Sequence, residues 1–467
     1  MKTTVTVVLP VMLVMGLLVG GCSKKNSSES WSLDKSEVSA QLKTFLAAQE
    51  KQARALAAQE GKTLPPEYDS FYAAVRKDDW RAVTNSFQTL SRAFQTNSEV
   101  RGSWWSATLD AYGVFELFPS GDEKYAIAFG GDIIKSIPDG SIYFGGTDPG
   151  RFVVTALMES HADGKPFFAL SQNPLADVTY LHYLRAMYGG KIYTPTDEDS
   201  QKSFQDYTTD AQRRLSHDKQ FPNEPRQLKP GEDVRLDSNG RIQMSGQMNV
   251  IGIRELLTKT IFDKNPDREF YIEESFPLDW MYPYLEPHDL IMKINRQPLT
   301  ALSDEIVQRD SDYWTKYVTP MIGGWLKPDT TIGEVAAFAE KIHVKKDLSG
   351  FAGDPQFVQN ENACKMYSKL RSSIAGLYAW RAQHAADAGD KKRMNDAADF
   401  AFRQAWVLCP YSPETGLRYV SLLISQNRRA DALLVAETAA NMPEMKSFDW
   451  AVRDFVTMLR NPNTKFK

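Results

Sequence analysis

Ser141-Ile142-Tyr143-Phe144-Gly145-Gly146-Thr147-Asp148-Pro149-Gly150-Arg151-Phe152, followed 15 residues on by Phe167-Phe168-Ala169-Leu170, decides how this chain is built. Ile142 to Phe144 and Phe167 to Leu170 are short, unbroken apolar runs with aromatic residues, the pattern of strands buried on both faces. Glycine and proline punctuate the loop after the first run, and residues 151–160 read as a helix. Strand, loop, helix and strand in about 30 residues is the length of a crossover unit, so the two strands are expected to be parallel.

The pattern extends in both directions. On the C-terminal side, Asn173-Pro174-Leu175-Ala176-Asp177 opens a helix through Tyr180, Leu181, Leu184 and Tyr188. Residues 195–220 are polar, but Phe204, Tyr207, Ala211 and Leu215 keep helical spacing, which predicts an inserted helix. Val234 and Leu236, then Ile242 and Met244, alternate about Asn239-Gly240 and predict a hairpin. A helix carrying Ile251, Ile253, Leu256, Leu257 and Ile261 follows, then strands at 269–272 and 290–294 separated by a short helix around 278–285. The centre is therefore an α/β layer of four or more strands.

On the N-terminal side, residues 33–60 form an amphipathic helix with a thin apolar stripe that Leu64-Pro65-Pro66 breaks. Phe71, Tyr72 and Val75, then Trp80, Val83, Phe87, Leu90 and Phe94, lie either side of an Asp78-Asp79 turn and predict a helical hairpin. A further helix spans 104–118, and an apolar helical segment through Ile127 and Ile134 is interrupted by Gly130-Gly131.

From Asp304 onward everything reads as helix, and it repeats. Ala398 and Ala405 recur as Ala432 and Ala439, each 34 residues later, and Phe402 and Pro410 fall where a tetratricopeptide repeat has its aromatic and closing proline. The region thus resembles tetratricopeptide repeats. It departs in an inter-helix loop, 389–395, about four residues too long, in Ala436 at the aromatic position, and in Pro443 one residue early. Two imperfect repeats are too few for a free-standing solenoid, so they are expected to pack on the α/β layer. The fold class expected is an α/β central layer, partly parallel, flanked by N-terminal helical hairpins and a C-terminal tetratricopeptide-like helical region. The boundaries expected are 1–21 leader, 22–30 tether, 31–120 helical hairpins, 121–300 α/β domain, 301–355 helical connector and 356–467 repeats.

The first 30 residues speak of location. Lys2 is followed by an uncharged apolar stretch ending in Val19-Gly20-Gly21-Cys22, which resembles the lipobox of bacterial lipoprotein signals. The run also nearly reaches the length of a membrane span, but Pro10 and three glycines argue against a spanning helix. Cys22 is thus expected to carry the lipid anchor, and the polar 23–30 stretch to act as a flexible tether. Ser23 after the cysteine favours the outer membrane of a cell envelope, with the chain facing the periplasm. Cys364 and Cys409 either form a disulfide or behave as small buried apolar residues.

A net charge of −4 removes nucleic acid from the partners, because no basic excess exists to neutralise phosphates. Gly145-x-x-x-x-Gly150 sits between strand and helix as a phosphate loop does. Arg151 and Phe152 then stand where that motif needs Lys and a metal-binding hydroxyl, which excludes nucleotide hydrolysis. A weaker anion site at this helix start, with Arg151, and a purely structural Gly/Pro turn both remain open. Asp148, Asn173, Asp177, Glu273 and Glu274 follow three strand-like runs and would converge beyond their carboxyl ends. Together with Arg151 they are the candidate ligand-binding residues. Paired carboxylates serve acid–base chemistry, bind cations or cap helices, and Asp177 and Asp279 suit capping. The six histidines, 161, 182, 217, 288, 343 and 384, have no metal spacing, and HExxH, CxxC and GxSxG are absent. No catalytic residue, metal or cofactor is therefore expected.

IPDGSIYFGGTDPGRF (137–152), PFFALSQNPLADVTYLHYL (166–184) and REFYIEESFPLDWMYPYLEPHDLIMKIN (268–295) resemble, in order and spacing, the soluble C-terminal part of uncharacterised multi-spanning bacterial proteins described as protein-O-mannosyltransferase-like. The likeness covers about residues 136–440. The membrane-embedded half, where glycosyl transfer would reside, has no counterpart here. What the resemblance implies is an envelope role that binds glycan or polypeptide. The function expected is a lipid-anchored binding or assembly protein that meets a protein partner through its helical repeats. The rival is an envelope enzyme acting on a glycan or polymer through the carboxylates beyond the strands.

Overall fold

The structure, a computed structural model, describes residues 35–118, 124–146, 149–237 and 241–461. Cys22 with its leader, Asp148, and the Asn239-Gly240 turn lie outside the described residues. Among the described residues five α-helices precede the first strand: Lys35–Gln59 (α1), Pro66–Arg76 (α2), Trp80–Thr96 (α3), Trp104–Leu117 (α4) and Lys124–Ser136 (α5). Pro66 opens α2, where its missing N–H is not needed. Asp78 turns the chain with a left-handed φ of 55°, and Asp79 caps α3 by accepting from Ala82 N at 3.0 Å. The apolar faces meet through aromatic rings: Phe71 lies 6.0 Å from Phe87, which stacks 3.7 Å from Tyr112 of α4. α5 runs through Gly130-Gly131 without the expected interruption. Gly130 is a packing residue, because a Cβ there would stand 2.7 Å from Val153 Cγ1 and 2.9 Å from Leu157 Cδ1.

The central elements are Ile142–Gly145 (β1), Pro149–Leu157 (α6), Phe168–Ser171 (β2), Val178–Tyr188 (α7), Asp197–Gln220 (α8), Asp233–Leu236 (β3), Ile242–Ser245 (β4), Gln247–Lys264 (α9), Phe270–Ile272 (β5), Leu285–His288 (β6) and Ile291–Ile294 (β7). Five of the strands form a mixed sheet in the order β2-β1-β5-β7-β6. β1 is parallel to β2 and to β5, while β7 is antiparallel to β5 and β6. β3 and β4 pair antiparallel beside the sheet, over a small cluster with Tyr207 and Ala211 of α8. The α8 start is a capping box between Thr196 and Asp199.

β6 corrects the sequence reading, which placed a helix around 278–285. Only Asp279–Tyr284 is helical, as a 3-10 turn, and Leu285-Glu286-Pro287-His288 is the edge strand. Pro287 disguises it, yet an edge strand tolerates a residue without an N–H.

Asp304–Ile322 (α10), Ile332–Ala339 (α11), Pro355–Gln359 (α12), Glu361–Gln383 (α13), Ala388–Leu408 (α14), Pro413–Ser425 (α15), Arg429–Ala440 (α16) and Asp449–Arg460 (α17) complete the chain. The overlong loop expected at 389–395 is helix instead. Asp387 caps α14 by accepting from Gly389 N at 2.8 Å and Asp390 N at 2.9 Å, Arg393 closes on Asp390 at 2.6 Å, and Met394 is fully buried. The glycine and lysines that suggested a loop are therefore the capped, solvated start of a helix.

α13 lies against the sheet. Ser373 Oγ donates to the Glu274 carbonyl, and the Arg381 guanidinium donates to the carbonyls of Leu299 at 2.7 Å and Pro283 at 2.9 Å. One apolar cluster runs from Val38 to Leu459 and includes both sheet and helices. Cys364 and Cys409 are free and buried, and burial pushes the Cys364 thiol up to about 12. The molecule is mostly helical, with a small mixed sheet at its centre.

Candidate functional site

Because β1, β2 and β5 are parallel neighbours, their carboxyl ends lie at one edge: Gly145 is level with Ser171, and Phe144 with Ile272. The loops bearing the sequence-derived candidates leave from this edge. Hydrogen bonds tie the loops together, with Glu273 N donating to Phe144 O at 2.9 Å and Ser171 Oγ to Gly146 O at 3.2 Å.

Glu273 occupies the glycine-rich turn. Its Oε2 accepts from Gly146 N at 3.2 Å, and a Cβ on Gly150 would collide with the same carboxylate. Lys369 of α13 holds Oε1 at 2.9 Å, and the Glu273 side chain is 1% exposed. The anion that the loop and the α6 N-terminus favour is thus supplied by the chain itself.

Glu274 is buried beside it, and its charge bears on Arg254 of α9. Arg254 donates to Asn173, to Oδ1 and to the carbonyl, the latter at 3.2 Å. Burial lowers the Arg254 pKa, with Glu274 opposing the shift. Asn173, Arg254 and Glu274 are therefore linked across two loops and a helix. Asp177 is exposed and caps α7, accepting from Thr179 N and Oγ1, both at 2.8 Å.

Arg151 stands in a different set of partners. Its guanidinium meets Asp110 of α4 at 2.6 Å, with side-chain exposures of 6% and 0%, and lies over the Tyr180 ring at 5.6 Å. Asp110 also accepts from Tyr183 OH at 2.8 Å and faces His161 Nε2 at 3.7 Å. Burial by itself would raise the Asp110 pKa, but Arg151, His161 and Tyr183 outweigh it and hold the carboxyl below its usual range. Arg151, expected among the residues beyond the strands, is thus turned to α4, and other cations hold the strand edge. Lys369 and Arg254 serve there, and Arg418 of α15 joins them by donating to Ser275 O at 2.8 Å.

Nothing in the sequence tied Asp110, Arg254 and Lys369 to the strand edge: Asp110 and Lys369 lie on helices outside the run of strands, and Arg254 lies on the helix that leads into β5, where helical spacing alone does not show which residue faces the edge. Asp110 carried one signal: it is an acid in the middle of a largely apolar helix, where a charge needs a buried partner. Among the described residues no group of histidine, cysteine and carboxylate side chains is placed to hold a metal ion. No family model, curated protein or solved structure matches the chain.

Proposed function

We propose that this chain is a lipid-anchored, extracytoplasmic binding or assembly protein of the bacterial cell envelope. The observation that carries the reading is the closure of the strand edge by Glu273. A carboxylate that is 1% exposed and engaged by Lys369 and Gly146 braces loops against a helix. Solvent-facing apolar side chains adjoin that brace: Phe276 is 60% exposed under the Arg418 guanidinium, and the neighbouring Leu417 is 49% exposed. Exposed aromatic and aliphatic groups beside arginine are the composition of a protein-binding surface. The tetratricopeptide-like assignment of α13 to α16 supports the same role: Ala398, Ala405, Ala432 and Ala439 are all buried on α14 and α16. Anchoring rests on Val19-Gly20-Gly21-Cys22, and no helix among the described residues is long and apolar enough to cross a membrane.

The test is a photo-crosslinking residue at Phe276 of the full chain in its native envelope, compared with the same residue at Lys202, whose side chain is 72% exposed on α8. A discrete crosslinked protein at Phe276 alone is the expected result, lost together with membrane fractionation in Cys22→Ala. Identical products at both positions overturn the binding surface, and unchanged fractionation of Cys22→Ala overturns the anchor.

A further inference from the structure

A cleft of about 560 Å³ lies along α1 where it meets α4 and the end of α2. Its apolar lining is Leu46, Ala47, Val75 and Phe115. Each of these lies far enough inside its helix for its N–H to be spent on the helix. A peptide strand laid there would find no backbone donor, whereas an alkyl chain needs none. The α1 wall extends from Lys43 to Arg54, about 16 Å of helix axis, so the cleft is long enough for an extended chain.

Charge selects what the chain must carry. Lys43, Lys51, Arg54 and Arg76 line the cleft against two acids, Glu50 and Asp78. Glu50 accepts from Arg54 at 2.8 Å and from Arg76, and Arg54 also donates to Asp69 at 2.7 Å, so both arginines are engaged. Lys43 and Lys51 are exposed, and among the described residues neither makes an ion pair, with Asp78 or with any other acid. Between Ser39 and Gln59 every exposed residue of α1 is neutral or basic, in a chain whose net charge is −4. An anion approaching this wall therefore meets two unpaired cations and no exposed acid on the helix that bears them. The geometry points to a binding site for a single-chain anionic amphiphile, an alkyl chain ending in a carboxylate or a phosphate. The chain lies over Leu46, Ala47, Val75 and Phe115, and the flexible stems of Lys43 and Lys51 turn both ammonium groups to the head. The site uses no strand-edge residue and needs neither the anchor nor the protein-binding surface.

Photolabelling of the full chain in phosphatidylcholine vesicles tests it. The probe is dodecanoate with a diazirine in its alkyl chain, and the labelled residues are read by mass spectrometry. The label should fall on residues that line the cleft. Unlabelled dodecanoate or dodecyl phosphate should displace it, and whichever acts at lower concentration identifies the head as carboxylate or phosphate. Dodecanol, the same chain without the charge, should need about tenfold more, and acetate, the head without the chain, should not compete. Lys43→Glu combined with Lys51→Glu, both at exposed positions that tolerate change, should cut labelling of the cleft about tenfold. Ala47→Trp, which fills the apolar lining from an exposed position, should do the same with circular dichroism unchanged. Label spread evenly over residues outside the cleft, displacement by dodecanol as effective as by dodecanoate, or undiminished labelling of the double lysine variant would each overturn the site.

Discussion

Glu273 shows how one side chain can settle a motif. Gly145 and Gly150 have the spacing of a phosphate loop, and against Gly146 and Gly150 the chain sets its own carboxylate, countered by Lys369. Gly150 is there because no Cβ fits against that carboxylate. Gly150→Ala should therefore destabilise the protein by roughly 1–3 kcal/mol in urea unfolding, as overpacking does. In a Glu273→Ala background the same change should cost under about 0.5 kcal/mol, since contacting residues couple. Additive losses would mean that Gly150 answers to some other neighbour. A second residue, His343, ties stability to pH. It is 1% exposed against Tyr411, and burial, with Lys346 adding, pulls its pKa down to about 4. The unfolded chain then binds more protons than the folded one below about pH 6.5, so the stability His343 allows is complete above that pH and falls as pH drops towards 4. His343→Phe should remove about 3 kcal/mol of the loss between pH 7 and pH 4, read from urea midpoints at the two values. An unchanged pH slope would show that His343 stays neutral at no cost.

Among elements, α5 and α6 are instructive because two adjacent glycines do opposite things. A Cβ on Gly130 would stand 2.7 and 2.9 Å from the Val153 and Leu157 side chains, whereas a Cβ on Gly131 would have nothing within 4 Å. Gly130→Ala should cost roughly 1–3 kcal/mol through overpacking. Gly131→Ala should gain roughly 0.5–1 kcal/mol, because alanine restricts the unfolded chain and favours helix. Thermal unfolding of the two variants separates them, and shifts of the same sign would contradict the helix contact. The strands β1 and β2 were legible because an apolar run, a turn and a helix follow one another locally. β6 was not, since Leu285-Glu286-Pro287-His288, although it alternates buried and half-buried, holds a proline and no strong strand formers besides a single leucine, and owes its conformation to pairing with β7.

At the scale of the molecule, α13 is the strut. Its Lys369 neutralises Glu273, its Ser373 holds the Glu274 carbonyl, and its Arg381 gathers carbonyls ahead of β6 and after β7. A chain ending at residue 355 would expose the apolar cluster and leave those polar groups buried without partners. It should show no cooperative unfolding transition by circular dichroism. A sharp transition in that fragment would mean that the first 355 residues carry a sufficient core of their own.

What the sequence determined by itself is what short-range chemistry determines. Apolar period and caps place the helices, the runs at 142–144 and 167–170 place the crossover, and the lipobox-like ending at Cys22 gives the expectation of an anchor. It also gathered Asn173, Glu273 and Glu274 at one edge, because parallel strands must end together. Only the tertiary structure decided what meets them. Arg151 turns to Asp110, while Lys369 and Arg254 arrive from helices about 100 and 20 residues away from Glu273. A buried charge selects its partner by proximity in the folded state, and the cost of leaving it alone enforces the pairing whatever the separation along the chain. No local pattern encodes that choice.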